Sequence, residues 1–235
     1  MNIKLTIEYD GTDFFGFEIQ PRKRTVRGEI ESAICQITGE EVKVCCAGRT
    51  DKGVHAMAQI VNFHTESRLS PGELKRAINA NLPKDIYVKD AVRVSDDFHA
   101  RYSAKRKVYL YKMLIGKSPI RRNYVWEYRF KMNIDALKEI LPVFCGRYNF
   151  KKLAKRDEGI CDITRFDIRE KDDEIQLEIE GDRFLHKQVR MTVGTALLFT
   201  RGKIDRKTII CMLNGGEGIP ALAPASGLYL KEIIY

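Results

Sequence analysis

Two apolar runs, residues 42–47 and 56–63, are separated by a segment too polar and too rich in glycine to continue either of them: Gly48-Arg49-Thr50-Asp51-Lys52-Gly53-Val54-His55. The pattern predicts a strand, a short loop and a second strand. Asp51 falls at the loop's apex, two residues after Arg49, where an ionised carboxylate can be held and presented to a ligand instead of being buried. Glycines at 48 and 53 admit backbone conformations that a Cβ disfavours, so a bulky ligand can come close. The same spacing also describes an ordinary Asp-Lys-Gly hairpin turn with solvated charges. Spacing alone does not choose between the two.

The rest of the chain reads as two α+β halves. Residues 3–9 form a strand pattern, and Val26, Ile30, Ile34 and Ile37 recur on one helical face with Thr25 placed as the cap. Ser70-Pro71 opens a second helix that carries Leu74, Ala77 and Ile78 inward and stops before Leu82-Pro83. Ile86, Val88, Val92 and Val94 then read as strand. A similar order follows: a strand at 108–113, a helix capped by Asn133 with Ile134, Leu137, Leu141 and Phe144 inward, and strands near 163–168 and 175–179. A helix at about 185–198 and a shorter one after Asp205 lead into a last strand, 227–234. The expected class is α+β, with helices on one side of an antiparallel or mixed sheet and the other face open. No low-complexity linker interrupts the chain, so the halves are expected at 1–104 and 105–235, meeting near Ser103 and Lys107.

With 235 residues the chain can bury a sizeable core. Its 41 Lys and Arg against 32 Asp and Glu leave +9, which makes nucleic acid the first partner to consider. Basic side chains also simply solvate surfaces. The six cysteines, at 35, 45, 46, 145, 161 and 211, form no Cys-x-x-Cys pair and no tight cluster with histidine, so no metal site is expected. They read as reduced thiols of a cytoplasmic protein. Lys4, Glu8 and Asp10 interrupt the N-terminal apolar stretch, which excludes a secretory core there. The uncharged stretch at 191–200 is far short of the ~20 residues that span a bilayer, so no membrane partner is expected.

The run at 47–56, AGRTDKGVHA, is similar to the signature loop of the TruA family of tRNA pseudouridine synthases. Further blocks resemble that family in the family's order. They are Ile7-Glu8-Tyr9-Asp10-Gly11, Asn79-Ala80-Asn81-Leu82-Pro83 with Asp85-Ile86, and Asp97-Phe98-His99-Ala100-Arg101 with Ser103-Ala104. Tyr109-Leu110-Tyr111, Phe184-Leu185-His186 with Val189-Arg190 and Val193-Gly194, Ala223-Pro224-Ala225 and Gly227-Leu228-Tyr229-Leu230 complete the set.

The resemblance implies two pseudo-symmetric halves sharing an extended sheet, with an RNA-binding cleft on the side away from the helices. It implies isomerisation of uridine to pseudouridine at positions 38, 39 and 40 of the tRNA anticodon stem-loop, with the base flipped out, no cofactor, and a homodimeric enzyme. Asp51 matches the family's catalytic aspartate, Arg190 the arginine that pairs with it, and Tyr109 the tyrosine that stacks on the uracil. Arg49 matches a substrate-binding arginine that helps to prise the base out, and Leu228 an apolar contact to it.

The residues alone leave other roles open. Arg190 also suits an exposed helix edge, and Tyr109 a packed strand tyrosine with its hydroxyl satisfied. In the alternating run at 107–111, Tyr109 and Tyr111 share one face and Val108 and Leu110 the other, an arrangement expected to put a ligand before the tyrosines and the core behind. Basic clusters at 22–24, 105–107, 121–122, 151–152 and 155–156 suit phosphate contacts or plain solvation. His55 and His99 read as structural, since the implied chemistry requires neither.

Phe17-Glu18 stands where the family has Trp-Gln, and residues 148–153 replace its common Asp-Phe-Thr-Ser-Phe. Both departures bear on the RNA path. Two alternatives therefore accompany the tRNA reading: a synthase of this family acting mainly on another RNA, and a non-catalytic RNA-binding module. Retention of Asp51, Tyr109 and Arg190 speaks against the last, because binding alone needs no such trio.

Overall fold

Alternation in β1 (Asn2–Tyr9) organises the first compact part of the chain. Ile3, Leu5, Ile7 and Tyr9 are buried on one face, while Lys4, Thr6 and Glu8 are half-exposed on the other. The computed structural model describes residues 1–155 and 159–235. The chain divides into two units, one of 1–105 with 229–235, the other of 106–228. Arg156, from one of the expected basic clusters, lies outside the described residues.

In the first unit, α1 (Val26–Thr38) buries Val26, Ile30, Ala33 and Ile34, and the Thr25 hydroxyl accepts the Gly28 N–H at its start. β2 (Cys45–Cys46) pairs antiparallel with β3 (His55–His64). The expected strand at 42–47 is thus reduced to two residues. The cause is a partner on another element: the Val44 N–H donates to Glu31 Oε1 on α1 at 2.8 Å, which takes it out of the ladder. α2 (Pro71–Asn81) opens on a complete capping box, Ser70 with Glu73, of the kind that contributes about 1 kcal/mol.

β4 (Ile86–Val94) pairs with β1 on the edge away from β3, and the register sets Phe63 opposite Ile3, and Val61 and Ala91 on either side of Leu5. This builds one apolar face. The last strand, counted as β10 below, closes the unit by running parallel to β3, with Tyr229 against His55 and Leu230 against Ala56. The sheet is mixed.

In the second unit, β5 (Arg106–Ile115) pairs in parallel with β6 (Trp126–Tyr128). α3 (Ile134–Ile140) is capped by Asn133 and passes into a 3-10 turn over Leu141–Phe144, where Pro142 cannot supply an α-helical N–H. β7 (Gly146–Asn149), β8 (Ile160–Lys171) and β9 (Glu174–Gly181) follow antiparallel, in the order β5-β9-β8-β7. α4 (Gln188–Thr200) and α5 (Arg206–Leu213), the latter capped by Asp205, precede β10 (Leu228–Ile234). Among the described residues this makes ten strands and five α-helices, the expected α+β class with mixed sheets.

One local expectation is corrected. α4 begins at Gln188, not near Leu185, because Lys187 adopts a left-handed conformation with φ of 63° that cannot sit inside a helix. Phe184, His186 and Lys187 therefore precede the helix. On β5, Tyr109 and Tyr111 lie opposite Ile179 and Leu177 of β9, and Phe166 of β8 lies opposite Ile179. Val108, Tyr109, Leu110 and Tyr111 are all buried, so burial does not distinguish the two faces of β5. Val108 and Leu110 share theirs with Glu180 and Glu178.

Candidate active site

Segment 47–54 connects β2 to β3, and Asp51 sits in it half-buried. What surrounds it explains why such a polar loop takes one shape. The hydroxyls of Thr50 and Tyr9 hydrogen-bond at 2.7 Å, and the Gln59 amide donates to the Gly48 carbonyl at 2.6 Å. The Phe17 N–H donates to the Thr50 carbonyl at 3.1 Å, the Gly53 N–H to the Phe14 carbonyl at 3.3 Å, and the Val54 N–H back to the Asp51 carbonyl at 3.2 Å. A loop of charged residues is thereby tied to β1, to β3 and to segment 11–25.

That last segment packs on the Asp51 loop by backbone contact. A Cβ on Gly11 would lie 2.0 Å from the Val54 carbonyl oxygen, and one on Gly16, whose φ is 100°, would lie 2.8 Å from that of Thr50. Only glycine permits the approach. Phe14 and Phe17 are buried beneath it, and the ammonium groups of Lys23 and Lys52 lie over the Phe15 ring at 4.4 and 4.1 Å. Burial pushes the Tyr9 hydroxyl well above its ordinary pKa, against the pull of its Thr50 hydrogen bond, so it stays protonated and able to donate.

Arg49 projects from this loop with its side chain 69 % exposed, and its Nε donates to Glu18 Oε2 at 2.8 Å. The other oxygen of Glu18 pairs with Arg27 Nη1. Burial opposes the charge on Arg27, but the carboxylates of Glu31 and Glu18 outweigh it and hold the guanidinium above its usual range. Sequence reasoning noted Glu18 only as a departure. Its contact with Arg49 has no signal in spacing, since the two lie far apart along the chain.

The second unit brings the remaining candidates into one neighbourhood. Arg190, half-buried on the first turn of α4, donates from Nε to the Ala223 carbonyl at 2.8 Å, and the Ala223 N–H returns a bond to the Arg190 carbonyl at 3.1 Å. Gly194 lets α4 lie against this segment, because a Cβ there would be 2.3 Å from the Ala221 carbonyl oxygen. Tyr111 donates to the Pro224 carbonyl at 2.9 Å; burial raises its pKa far above the ordinary value, and the Arg190 charge pulls the other way. Tyr109, 7 % exposed, meets the Phe184 ring edge-on at 5.0 Å. Leu228 is buried, its N–H bonded to the Ala225 carbonyl at 2.9 Å.

His55 is buried and stacked on Tyr229 at 4.7 Å, with Nδ1 accepting the Gly11 N–H at 3.0 Å, a structural placement. Among the described residues no group of His, Cys, Asp and Glu is arranged to hold a metal ion, and no helix is long and apolar enough to cross a membrane.

The sequence profile described as tRNA pseudouridine synthase matches residues 5–103 and 143–235. The chain belongs to that family. The match takes in Arg49, Asp51, Arg190 and Leu228 and leaves out the stretch that holds Tyr109. Full-length relatives cover the gap. A tRNA pseudouridine synthase A 2 of Clostridium perfringens is 37 % identical, covering 100 % of this chain and 99 % of its own. A tRNA pseudouridine synthase A 1 of Bacillus cereus is 38 % identical over 99 % and 98 %, and a tRNA pseudouridine synthase A of Caldicellulosiruptor bescii is 39 % identical over 100 % and 99 %. The family is one of isomerases, so the tied loop around Asp51 is to be understood as part of an isomerase.

Proposed function

We propose that this tRNA pseudouridine synthase family member isomerises uridines 38, 39 and 40 in the anticodon stem-loop of tRNA, with Asp51 as the catalytic carboxylate. The observation that carries the reading is the Asp51 loop: its polar backbone is fixed by Tyr9, Gln59 and segment 11–25, in a chain alike to family members over its whole length. Rigid support of this kind is what a reacting group requires.

In the reaction the N1–C1′ bond breaks, the uracil turns, C5 bonds to C1′, and the proton on C5 is exchanged for one on N1. No atom is gained or lost. Asp51 acts on the sugar as nucleophile or as base, and either route needs it ionised. Arg190 is the cation assigned to pair with it. A paired base is out of reach, so it is flipped out at a cost of a few kcal/mol, offset by contacts with Tyr109 and Leu228 while Arg49 engages the strand it leaves.

The basic clusters, Lys151 and Lys152 among them, contact tRNA phosphates. A tRNA is longer than one 27.1 kDa subunit, which favours a homodimer sharing one substrate, working in the cytoplasm. Mapping pseudouridine in unmodified tRNA after incubation with the purified protein tests the reading. Pseudouridine confined to positions 38, 39 and 40 is the expected result, and its absence there or its appearance only in another RNA overturns it.

A further inference from the structure

At Glu18 a departure from the family pattern touches a residue assigned to the substrate. Its carboxylate spans two guanidinium groups, with Oε1 on Arg27 Nη1 and Oε2 on Arg49 Nε. The Arg27 end is fixed: its side chain is 16 % exposed, and its Nε bonds Glu31 Oε1 at 2.7 Å, which also accepts the Val44 N–H. The backbone on either side is fixed too, because the Phe17 carbonyl accepts the Arg27 N–H at 3.0 Å while the Phe17 N–H donates to Thr50. A continuous set of bonds thus runs from α1 through Glu18 to the residue two before Asp51.

The contact with Arg49 uses Nε. It leaves the terminal pair, Nη1 and Nη2, outside the ion pair, and these are the nitrogens that grip a phosphate. An exposed arginine carries rotamer entropy, part of which it loses on binding. A fixed carboxylate behind it removes that freedom beforehand.

We propose that Glu18 is a positioning residue, which holds Arg49 by its Nε edge and so orders its terminal nitrogens for the RNA strand beside the Asp51 loop. The proposal rests on the assignment of Arg49 to the substrate. It requires that the negative charge of Glu18, unfavourable near RNA in itself, be outweighed by the orientation it imposes.

The test uses the full chain as wild type, Glu18→Ala, Arg49→Ala and the double variant. Turnover of unmodified tRNA, tRNA affinity and melting temperature are measured for each. Glu18→Ala is expected to lower kcat about tenfold while tRNA affinity stays within about threefold of wild type, and to have no further effect in the Arg49→Ala background. Glu18→Asp, which keeps the charge but is one methylene too short to span both guanidinium groups, is expected to fall with Glu18→Ala and serves if the first variant does not fold. An equal loss with and without Arg49 would mean that Glu18 acts through Arg27 and the stability of α1, and the proposal fails. It fails likewise if Arg49→Ala is impaired and both Glu18 variants turn over normally. A fully active Arg49→Ala overturns the assignment of Arg49 itself, a separate result from either.

Discussion

The hydroxyls of Tyr9 and Thr50 meet at 2.7 Å in a buried position, so the residue immediately before Asp51 is fastened to the end of β1. Removing one partner leaves the other without its bond in a place water does not reach. Tyr9→Phe is therefore expected to destabilise the protein by about 1 kcal/mol in chemical denaturation. It should also slow turnover by more than that stability loss accounts for, because the loop would be held less firmly. Unchanged turnover in a well-folded variant would show that this bond supports the fold alone.

Asp51→Asn keeps the shape of the side chain and removes its charge. Binding of tRNA should stay near wild type while isomerisation is abolished. Turnover within about tenfold of wild type, only ~1.4 kcal/mol in barrier terms, would exclude Asp51 as the reacting carboxylate.

Lys151 and Lys152 lie in the 3-10 turn Phe150–Leu153, whose Phe150 and Leu153 point inward and leave Lys151 exposed. Each phosphate neutralised by a lysine releases counterions, and this makes affinity fall with salt. Replacing both lysines by glutamate should weaken tRNA binding and flatten the plot of log affinity against log salt, with the melting temperature little changed. A slope equal to wild type would remove these residues from the RNA interface.

Acid should destabilise the second unit through Glu180. Arg106, at 2.9 Å, holds its carboxyl below the ordinary range; burial works the other way, and Thr164 and Arg165 add to the lowering. Since the folded-state pKa is the depressed one, the stabilisation is complete above the unfolded value of about 4.3 and is lost as pH falls through the folded value. Thermal melts between pH 6 and 3 should show that decline, and Arg106→Ala should reduce it.

Elements set by neighbours in sequence were legible beforehand. Thr25, Ser70 with Pro71, Asn133 and Asp205 mark helix starts through a side chain that reaches only three residues ahead, and all four act so in the structure. What was not legible depends on partners elsewhere. The strand at 42–47 lost most of its length to a hydrogen bond that the Val44 N–H donates to Glu31, and the neighbours on each face of β5 were set by its register against β9. α4 was shortened by a left-handed lysine that spacing does not mark. In the candidate site, Asp51 and Arg49 stood out because glycines and charges cluster around them. Tyr9, Gln59 and Glu18, which hold that loop, come from other elements, and only the fold brings them to it.

The parallel pairing of β10 with β3 has a consequence for how the protein is made. The first unit is nearly complete in sequence at Lys105, yet it takes in Tyr229 to Tyr235, more than a hundred residues later. During synthesis the edge of β3 that receives β10, at His55 and Ala56 directly after the Asp51 loop, waits uncovered until residues 229–235 have been made. An unpaired strand edge of that kind invites the wrong partner. The nascent chain must therefore keep this edge from aggregating throughout the elongation of the second unit, and β3 gains its parallel partner only after that unit has been made.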